Sequence, residues 1–274
     1  MDDLKIAAVC MEAAPGEVER NLDRIQGFVS KASAKGADIV CFPELSVSGY
    51  VLNNPAKVCR STDFGKTIDS LVRMSRGSRM VLMASLIESA DDAGPYITQV
   101  ITGPKGLIGL YRKTHLSPTE RAIYGAGKEV KIFKYRSTTF GVHLCYEAHF
   151  PEMSTTMALM GAEVIFVPHA SPRGDAEKKL QSWLRHLPAR AFDNGVFVVA
   201  CNQVGKAEPG LSFPGTAVVI GPDGRLLASY TGGEETILFA ELKGDLLQNV
   251  RGHRMRYFLP QRRPDLYRDV VSDH

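Results

Sequence analysis

The chain has 274 residues, of which 44% are hydrophobic and 23% are charged, and its formal net charge is +3. This composition supports one large hydrophobic core and gives no electrostatic reason to expect a nucleic acid or another polyanion as partner. No apolar stretch approaches the ~18 residues of a membrane span, and the first residues do not resemble a signal peptide. The five cysteines lack the spacing of a disulfide framework, which predicts a reducing compartment and a cytoplasmic protein.

The first half of the chain alternates short apolar runs with amphipathic segments. Residues 4–11 and 37–42 are predicted strands, and apolar side chains recur at three- and four-residue steps in the helix predicted between them, at 17–35. A strand–helix–strand unit of this kind favours parallel pairing of its strands. The predicted elements that follow are a helix, a strand and a two-stranded hairpin, at 67–76, 80–87, 96–101 and 107–111.

The second half repeats this alternation after an irregular segment, 117–127. The predicted strands lie at 130–135, 138–144, 163–168, 196–200, 217–220, 225–230 and 235–242. The predicted helices lie at 153–160 and, as one long helix, at 176–192. A short helix and a basic tail end the chain. We therefore predict a single α/β domain over residues 1–274, with mixed sheets covered by helices and a C-terminal arm from about residue 251 to 274.

Polar side chains follow three of the predicted strands. Glu44, Lys113 and Cys145 each stand at or just beyond the end of an apolar run. In layered α/β folds, such strand ends line the ligand site. A thiol, a carboxylate and an ammonium form a complete set for attack on a carbonyl or nitrile carbon, with the carboxylate as the proton carrier. A buried Glu–Lys ion pair beside an inert cysteine is the alternative interpretation.

Cys145 is predicted to lie on a tight turn between a buried strand and a helix that begins near Pro151. Backbone N–H groups and the positive end of a helix dipole favour a thiolate at such a position, so we expect a lowered pKa for Cys145. Most free cysteines are small buried apolar residues, and Cys10, Cys41 and Cys201 are interpreted in that way.

Several motifs, taken in order, resemble those of the nitrilase or carbon–nitrogen hydrolase superfamily over nearly the whole chain. The matching segments are Phe42-Pro43-Glu44-Leu45 with Gly49-Tyr50, Tyr111-Arg112-Lys113-Thr114-His115-Leu116, Glu120 with Tyr124-Gly125-Ala126-Gly127, Cys145-Tyr146-Glu147 with Phe150-Pro151-Glu152, Arg190-Ala191-Phe192-Asp193-Asn194, Asn202, Pro222-Asp223-Gly224 and Arg262-Arg263-Pro264-Asp265-Leu266-Tyr267. Each motif is weak alone, and their common order makes the resemblance specific.

The resemblance implies a four-layer α-β-β-α sandwich with two mixed sheets. It implies a catalytic triad of Glu44, Lys113 and Cys145, with Glu120 positioning the base, the lysine or the substrate. It also implies a thioester intermediate, or a thioimidate from a nitrile, that water hydrolyses. The family uses no metal and no organic cofactor, and its members pair through a helical face into dimers that sometimes assemble further.

The segment after the cysteine, Ala148-His149-Phe150-Pro151, is similar to the amidase and carbamoylase branch rather than to true nitrilases. It lacks the arginines with which hydrolases of N-carbamoyl-D-amino acids bind the substrate carboxylate. Our hypothesis is therefore an amidase for a small linear amide or carbamoyl compound, with a nitrilase as the alternative. We expect Tyr50, Tyr146, His149 and His169 to contact the substrate, although either histidine is equally interpreted as a hydrogen-bonded loop residue.

Three competing functions follow from other features of the sequence. His143, Cys145 and His149 offer metal-binding side chains, but a structural zinc site needs four ligands in closed spacing. The basic tail from Arg251 to Arg263 has interleaved aromatics, as in nucleic-acid-binding modules, but acidic residues and a proline interrupt it. A catalytically silent interaction protein is disfavoured by the intact glutamate, lysine and cysteine.

Overall fold

The strand β1 (Leu4–Cys10) lies between two hydrophobic layers, and its alternating side chains divide between them. Ile6 and Ala8 join a core cluster between two sheets, whereas Ala7 and Val9 join a second cluster beneath helices. Both faces of this strand are therefore buried, which explains its continuous apolar sequence. The structure is a computed structural model that describes residues 1–89, 94–207 and 210–268, with only the backbone of residues 60 and 61.

The remaining strands are β2 (Ile39–Cys41), β3 (Val81–Glu88), β4 (Tyr96–Gly103), β5 (Gly106–Arg112), β6 (Ile132–Tyr135), β7 (Thr138–Val142), β8 (Val164–His169), β9 (Phe197–Asn202), β10 (Gly205–Lys206), β11 (Ser212–Phe213), β12 (Gly215–Ile220), β13 (Leu226–Gly233) and β14 (Thr236–Leu242). The helices are α1 (Val18–Ala34), α2 (Pro55–Ser61), α3 (Phe64–Ser78), α4 (Pro118–Arg121), α5 (Pro151–Leu159), α6 (Ala176–Trp183), α7 (Leu187–Asn194) and α8 (Gly244–Arg251). Short 3₁₀ turns occur at Cys145–His149, Leu259–Gln261 and Pro264–Leu266.

Two six-stranded sheets form the centre of the fold. The first has the strand order β14-β1-β2-β3-β4-β5 and the second β13-β12-β9-β8-β7-β6. Each combines parallel pairs, such as β1 with β2 and β7 with β8, with antiparallel ones. The sheets pack face to face through contacts of β1 with β9 and β12. Helices α1 and α3 cover the first sheet, and α5, α6 and α7 cover the second. This arrangement is the predicted four-layer α-β-β-α sandwich.

The predicted long helix over 176–192 is wrong, because the structure divides this segment into α6 and α7. Pro188 is the second residue of α7. A continuous helix would need a hydrogen bond from the missing N–H of Pro188 to the carbonyl of Leu184, and the proline ring would clash there. The elements α2, α4 and the β10–β11 hairpin lie in segments that the sequence analysis left without regular structure.

Residues 269–274 of the predicted C-terminal arm lie outside the described ranges. Within those ranges, no helix combines the length and the apolar character that crossing a membrane requires.

Candidate active site

The sheet topology brings two of the predicted residues to one edge of the first sheet. Glu44 follows β2 and Lys113 follows β5. Strand β2 is parallel to β3, and β3 and β5 are both antiparallel to β4. Consequently β2 and β5 run in the same direction and end at the same edge, where Glu44 and Lys113 meet.

Lys113 is held by two carboxylates in a dry environment. Its Nζ atom donates to Glu44 Oε1 at 2.8 Å and to both carboxylate oxygens of Glu120, at 2.9 and 3.0 Å. All three side chains are buried. Glu120 lies on α4, where its side chain accepts a hydrogen bond from the backbone of Ser117 and closes a capping box. The sequence predicts that these three residues share one site, and in the structure both carboxylates contact the Lys113 ammonium.

Further hydrogen bonds fix Glu44 in place. Its second carboxylate oxygen, Oε2, accepts the backbone N–H of Ala170 at 3.1 Å, and its carbonyl oxygen accepts Gln203 Nε2 at 2.7 Å. The next residue, Leu45, has a left-handed backbone with φ of 55°, and its N–H donates to Ser85 Oγ. The carboxylate therefore has a defined orientation, with one oxygen on Lys113 and the other on a backbone N–H.

Cys145 opens the 3₁₀ turn that follows β7, and its φ of 48° lies in the left-handed region. A residue with a side chain rarely adopts this conformation, and strain of this kind is often found at functional sites. The sulfur contacts the backbone N–H of Ala170 and interacts electrostatically with Glu44, Lys113 and Glu120. The predicted nucleophile thus lies beside the buried carboxylate–ammonium cluster.

The expectation of a lowered pKa for Cys145 is wrong. Burial raises the pKa of the thiol, the Glu44 carboxylate raises it further, and Lys113 offsets only part of this effect. The regular helix α5 begins only at Pro151, beyond the 3₁₀ turn, so its dipole is not aimed at the sulfur from an adjacent residue. The raised pKa keeps Cys145 as a thiol, so the predicted nucleophile would need a base.

The protonation equilibria of the neighbouring groups suit that requirement. Burial raises the pKa of Glu44 to about 7, with a further contribution from the Glu120 carboxylate and an opposing one from Lys113. For Lys113, burial lowers the pKa, but Glu44 and Glu120 together raise it well above its ordinary value. Near neutral pH, the site therefore combines a permanent cation with a carboxylate that exchanges its proton readily.

Glu147 joins the lysine segment to the nucleophile turn, a role that the sequence analysis did not assign. Its Oε1 atom accepts from Tyr111 Oη at 2.6 Å, from Thr114 N at 2.7 Å and Thr114 Oγ1 at 2.6 Å, and from His115 N at 3.2 Å. Its Oε2 atom accepts from Leu144 N at 2.6 Å. These donors flank Lys113 and Cys145 in sequence. A carboxylate two residues after the predicted cysteine nucleophile was the available signal.

The four residues that were expected to contact substrate lie in different environments. Tyr50 is buried near the cluster. This burial, and then the charges of Glu120 and Glu44, raise its pKa. Tyr146 is half-buried and its ring contacts that of His149, which is exposed and stacks on His186 at 4.6 Å. His169 is buried, and the structure holds it away from solvent.

His169 has its own partners. Its ring packs on Trp183 at 4.3 Å and its Nδ1 atom lies 2.7 Å from the carbonyl oxygen of Val167. Burial lowers the pKa of His169 well below its ordinary value, so the ring is neutral. His169 is also the last residue of β8, and it directly precedes Ala170. Its contacts therefore position the backbone N–H that reaches Glu44.

Metal binding was the competing interpretation of His143, Cys145 and His149. His143 is fully buried, burial lowers its pKa to about 3, and neither ring nitrogen has a hydrogen-bond partner among the described residues. Over 1–89, 94–207 and 210–268, no three side chains of His, Cys, Asp or Glu cluster in a way that could hold a metal ion.

Comparisons with known proteins agree with this geometry. The family model described as carbon–nitrogen hydrolase matches residues 5–252. A nitrilase of Pyrococcus abyssi is 30% identical over 268 residues, which cover 96% of this chain and 99% of the relative. The N-carbamoylputrescine amidase of Solanum lycopersicum is 30% identical over 98% of this chain and 95% of its own. A solved mutant of the amidase from Nesterenkonia sp. AN1, with acrylamide added to its active-site cysteine, has a TM-score of 0.83 at 27% identity, covering 98% and 100% of the two chains.

Proposed function

We infer that this chain, which belongs to the carbon–nitrogen hydrolase family, hydrolyses a non-peptide carbon–nitrogen bond of a small linear amide or carbamoyl compound and releases ammonia. The observation that carries this inference is the buried contact of Lys113 with Glu44 and Glu120 beside the Cys145 thiol. A purely structural ion pair would not need a strained cysteine next to it.

The reaction begins with proton transfer from the Cys145 thiol to Glu44. The sulfur attacks the carbonyl carbon, and the negative charge that develops on the carbonyl oxygen is stabilised by the Lys113 ammonium and the backbone N–H of Tyr146. Glu44 then gives its proton to the leaving nitrogen, the C–N bond breaks, and ammonia and a thioester remain. Glu44 next takes a proton from water, which attacks the thioester carbon. The C–S bond then breaks, Glu44 returns this proton to the sulfur, and the acid leaves with the thiol and the carboxylate restored.

Glu120 is a positioning residue in this scheme. It holds the Lys113 ammonium through two hydrogen bonds and adds a negative charge that raises the pKa of Glu44. A carboxylate with a pKa near the working pH both accepts and returns a proton efficiently. Tyr50, which is buried near the cluster, is a candidate contact for the substrate, as are Tyr146 and His149.

A nitrile is the second candidate substrate, and the similarity to the Pyrococcus abyssi nitrilase supports it. Attack of Cys145 on a nitrile gives a thioimidate, which adds water, loses ammonia and then follows the same route to the acid. A catalytically silent interaction protein is the least favoured function, because the carboxylates contact the Lys113 ammonium and the Cys145 thiol lies close enough to interact with them electrostatically.

We further propose that two copies of this single-domain chain pair through the helical face of the second sheet. Large apolar side chains are exposed on or beside α5, α7 and the C-terminal segment: Leu159, Met160, Phe192, Met255 and Phe258. Exposed apolar patches of this kind mark interaction surfaces. The C-terminal arm, from about residue 251, would contribute to the same contact. Free cysteines throughout the described chain support a cytoplasmic location.

The test is ammonia release from a panel of small amides, carbamoyl compounds and nitriles, measured beside Cys145→Ala. Intact mass spectrometry of each mixture detects an acyl adduct. We expect turnover of at least one amide or carbamoyl compound and an adduct that Cys145→Ala lacks. Turnover of nitriles but of no amide would select the second candidate. The absence of both turnover and adduct across the panel would contradict the proposed function.

A further inference from the structure

A second buried lysine, Lys179, lies close to the candidate active site. It is in the first half of α6, and only 9% of its surface is exposed. Its Nζ atom donates to Ser171 Oγ and to the carbonyl oxygen of Pro172, both at 2.8 Å. Both acceptors are neutral, and an ammonium has three N–H donors. The described contacts therefore leave one donor of Lys179 for another partner.

The environment of Lys179 differs from that of Lys113. Two carboxylates neutralise Lys113, whereas in residues 1–89, 94–207 and 210–268 no carboxylate lies within ion-pair distance of Lys179 Nζ. Burial lowers the pKa of Lys179, and Arg173, in the loop before α6, lowers it further. The Cys145 sulfur has the opposite effect and favours the charged form of Lys179. A buried cation without a counter-ion is costly. A side chain whose role was to join Ser171 and Pro172 by hydrogen bonds would not need the positive charge of Lys179.

The loop that carries these acceptors is fixed to the catalytic cluster. Ser171 directly follows Ala170, whose N–H contacts Glu44 Oε2 and the Cys145 sulfur. Asn202 accepts the N–H of Ser171 at 2.9 Å and donates to its carbonyl oxygen at 3.0 Å. The Lys179 ammonium is thus held by Ser171, the residue directly after Ala170, and the backbone N–H of Ala170 meets the Cys145 sulfur. A substrate whose amide reaches Cys145 would extend toward this charge.

We propose that Lys179 binds a carboxylate of the substrate and that the preferred substrates are monoamides of short dicarboxylic acids. This inference rests on the proposed function and specifies its substrate class. The substrate carboxylate supplies the missing counter-ion, and a charge-assisted hydrogen bond fixes the amide over the sulfur. A cationic tail would face Lys179 and Arg173 and is disfavoured. The positive charge comes from α6 and the loop before it, instead of from arginines directly after the cysteine.

The test compares three substrates of equal length: glutaramate, which carries one carboxylate, the neutral diamide glutaramide, and the cationic 5-aminopentanamide. The measured quantity is the ratio of kcat/KM for glutaramate to kcat/KM for glutaramide. Every step at Cys145 and Glu44 is common to both substrates and cancels in this ratio. In the wild type we expect glutaramate to be preferred by more than about tenfold, and 5-aminopentanamide to be the poorest substrate.

Lys179→Met should lower this ratio by about tenfold or more and so remove most of the preference, since one hydrogen bond to a charged group is lost. Lys179→Arg should retain most of the ratio because it keeps the charge. The matched control is Lys178→Met, which removes the neighbouring exposed lysine, paired with Asp175, and should leave the ratio unchanged. An equal fall for both substrates in Lys179→Met would assign the lysine a purely structural role and overturn the inference.

If Lys179→Met does not fold, the substrate preference of the wild-type chain alone still tests whether the substrate carries a carboxylate. If the wild type hydrolyses glutaramide or 5-aminopentanamide with a kcat/KM equal to that for glutaramate, the inference is overturned and the proposed function is left intact. An anionic preference that declines as pH rises through the pKa of Lys179 supports it, because only the protonated lysine attracts the carboxylate. No turnover of any amide and no adduct on Cys145 would refute both proposals together.

Discussion

Replacement of Glu147 by glutamine tests whether the nucleophile and the lysine are held together by one carboxylate. The best placement of the new amide keeps its oxygen at the Oε1 position, where Tyr111, Thr114 and His115 donate. Its NH₂ group then faces the N–H of Leu144, which approaches Oε2 to 2.6 Å in the native chain. Two donors oppose each other, and the buried N–H of Leu144 loses its acceptor.

An unpaired buried donor costs about 1–3 kcal/mol, and the other hydrogen bonds weaken because their acceptor loses its charge. We therefore expect a loss of about 3–5 kcal/mol in the free energy of unfolding. For a chain of 274 residues, the entropy of unfolding is about 0.6 kcal/mol/K, so the Tm should fall by about 5–9 °C. Displacement of Cys145 relative to Lys113 should also lower kcat/KM about 100-fold.

The assay is thermal unfolding of the wild type and Glu147→Gln, followed by kcat/KM of both on the best amide found. Glu152→Gln is the matched control, since Glu152 is exposed on α5 and loses the same charge. A Tm within about 1 °C of the wild type, together with unchanged turnover, would refute the assignment of Glu147 as the link between the two segments.

Further expected outcomes concern the ionisable cluster and the helical face. The rate of amide hydrolysis should rise with pH through an apparent pKa of about 7, because Glu44 must be ionised to accept the thiol proton. In Glu120→Gln, this rising limb of the pH–rate profile should move to lower pH, because a negative charge that raises the pKa of Glu44 is removed. Glu44→Gln should abolish turnover yet shift alkylation of Cys145 by acrylamide to lower pH, since the Glu44 charge raises the pKa of the thiol. Intact mass measures the alkylation, and slower alkylation at every pH would contradict this expectation. Phe192→Asp should convert a dimer into monomers in analytical ultracentrifugation, because a charge would be buried in an apolar contact.

The sequence predicted the strands well because most of them are short apolar runs bounded by turn residues. It also predicted that Glu44, Lys113 and Cys145 lie at strand ends, and the resemblance to a family supplied the order of the layers and the position of Glu120. The division of 176–192 into two helices was missed, although Pro188 marked the place. There the apolar periodicity continues across the break, so periodicity alone could not reveal it.

The interactions that control the chemistry were less accessible, because they depend on distances between remote segments. The partners of Glu147 lie more than thirty positions upstream, apart from Leu144. Nothing in the local sequence distinguishes Lys179, which is buried against neutral oxygens, from Lys178, which is exposed beside Asp175. The pKa of Cys145 was predicted in the wrong direction for the same reason. The local sequence reveals the helix that follows Cys145, but it does not show how deeply the sulfur is buried or how near the carboxylates lie to it.

The charge of the assembled cluster explains why Cys145, the proposed nucleophile, rests as a thiol. The cluster sets the carboxyl groups of Glu44 and Glu120 beside a single Lys113 ammonium in a buried environment. A thiolate whose proton leaves the site would add a negative charge, which burial and the nearby carboxylates oppose. In the proposed mechanism, the thiol proton passes to Glu44 when the substrate is attacked, and the new negative charge develops on the carbonyl oxygen, toward Lys113. The net charge near the carboxylates then does not increase. The arrangement therefore disfavours the free thiolate and favours the tetrahedral intermediate, which is the difference in stabilisation that catalysis requires.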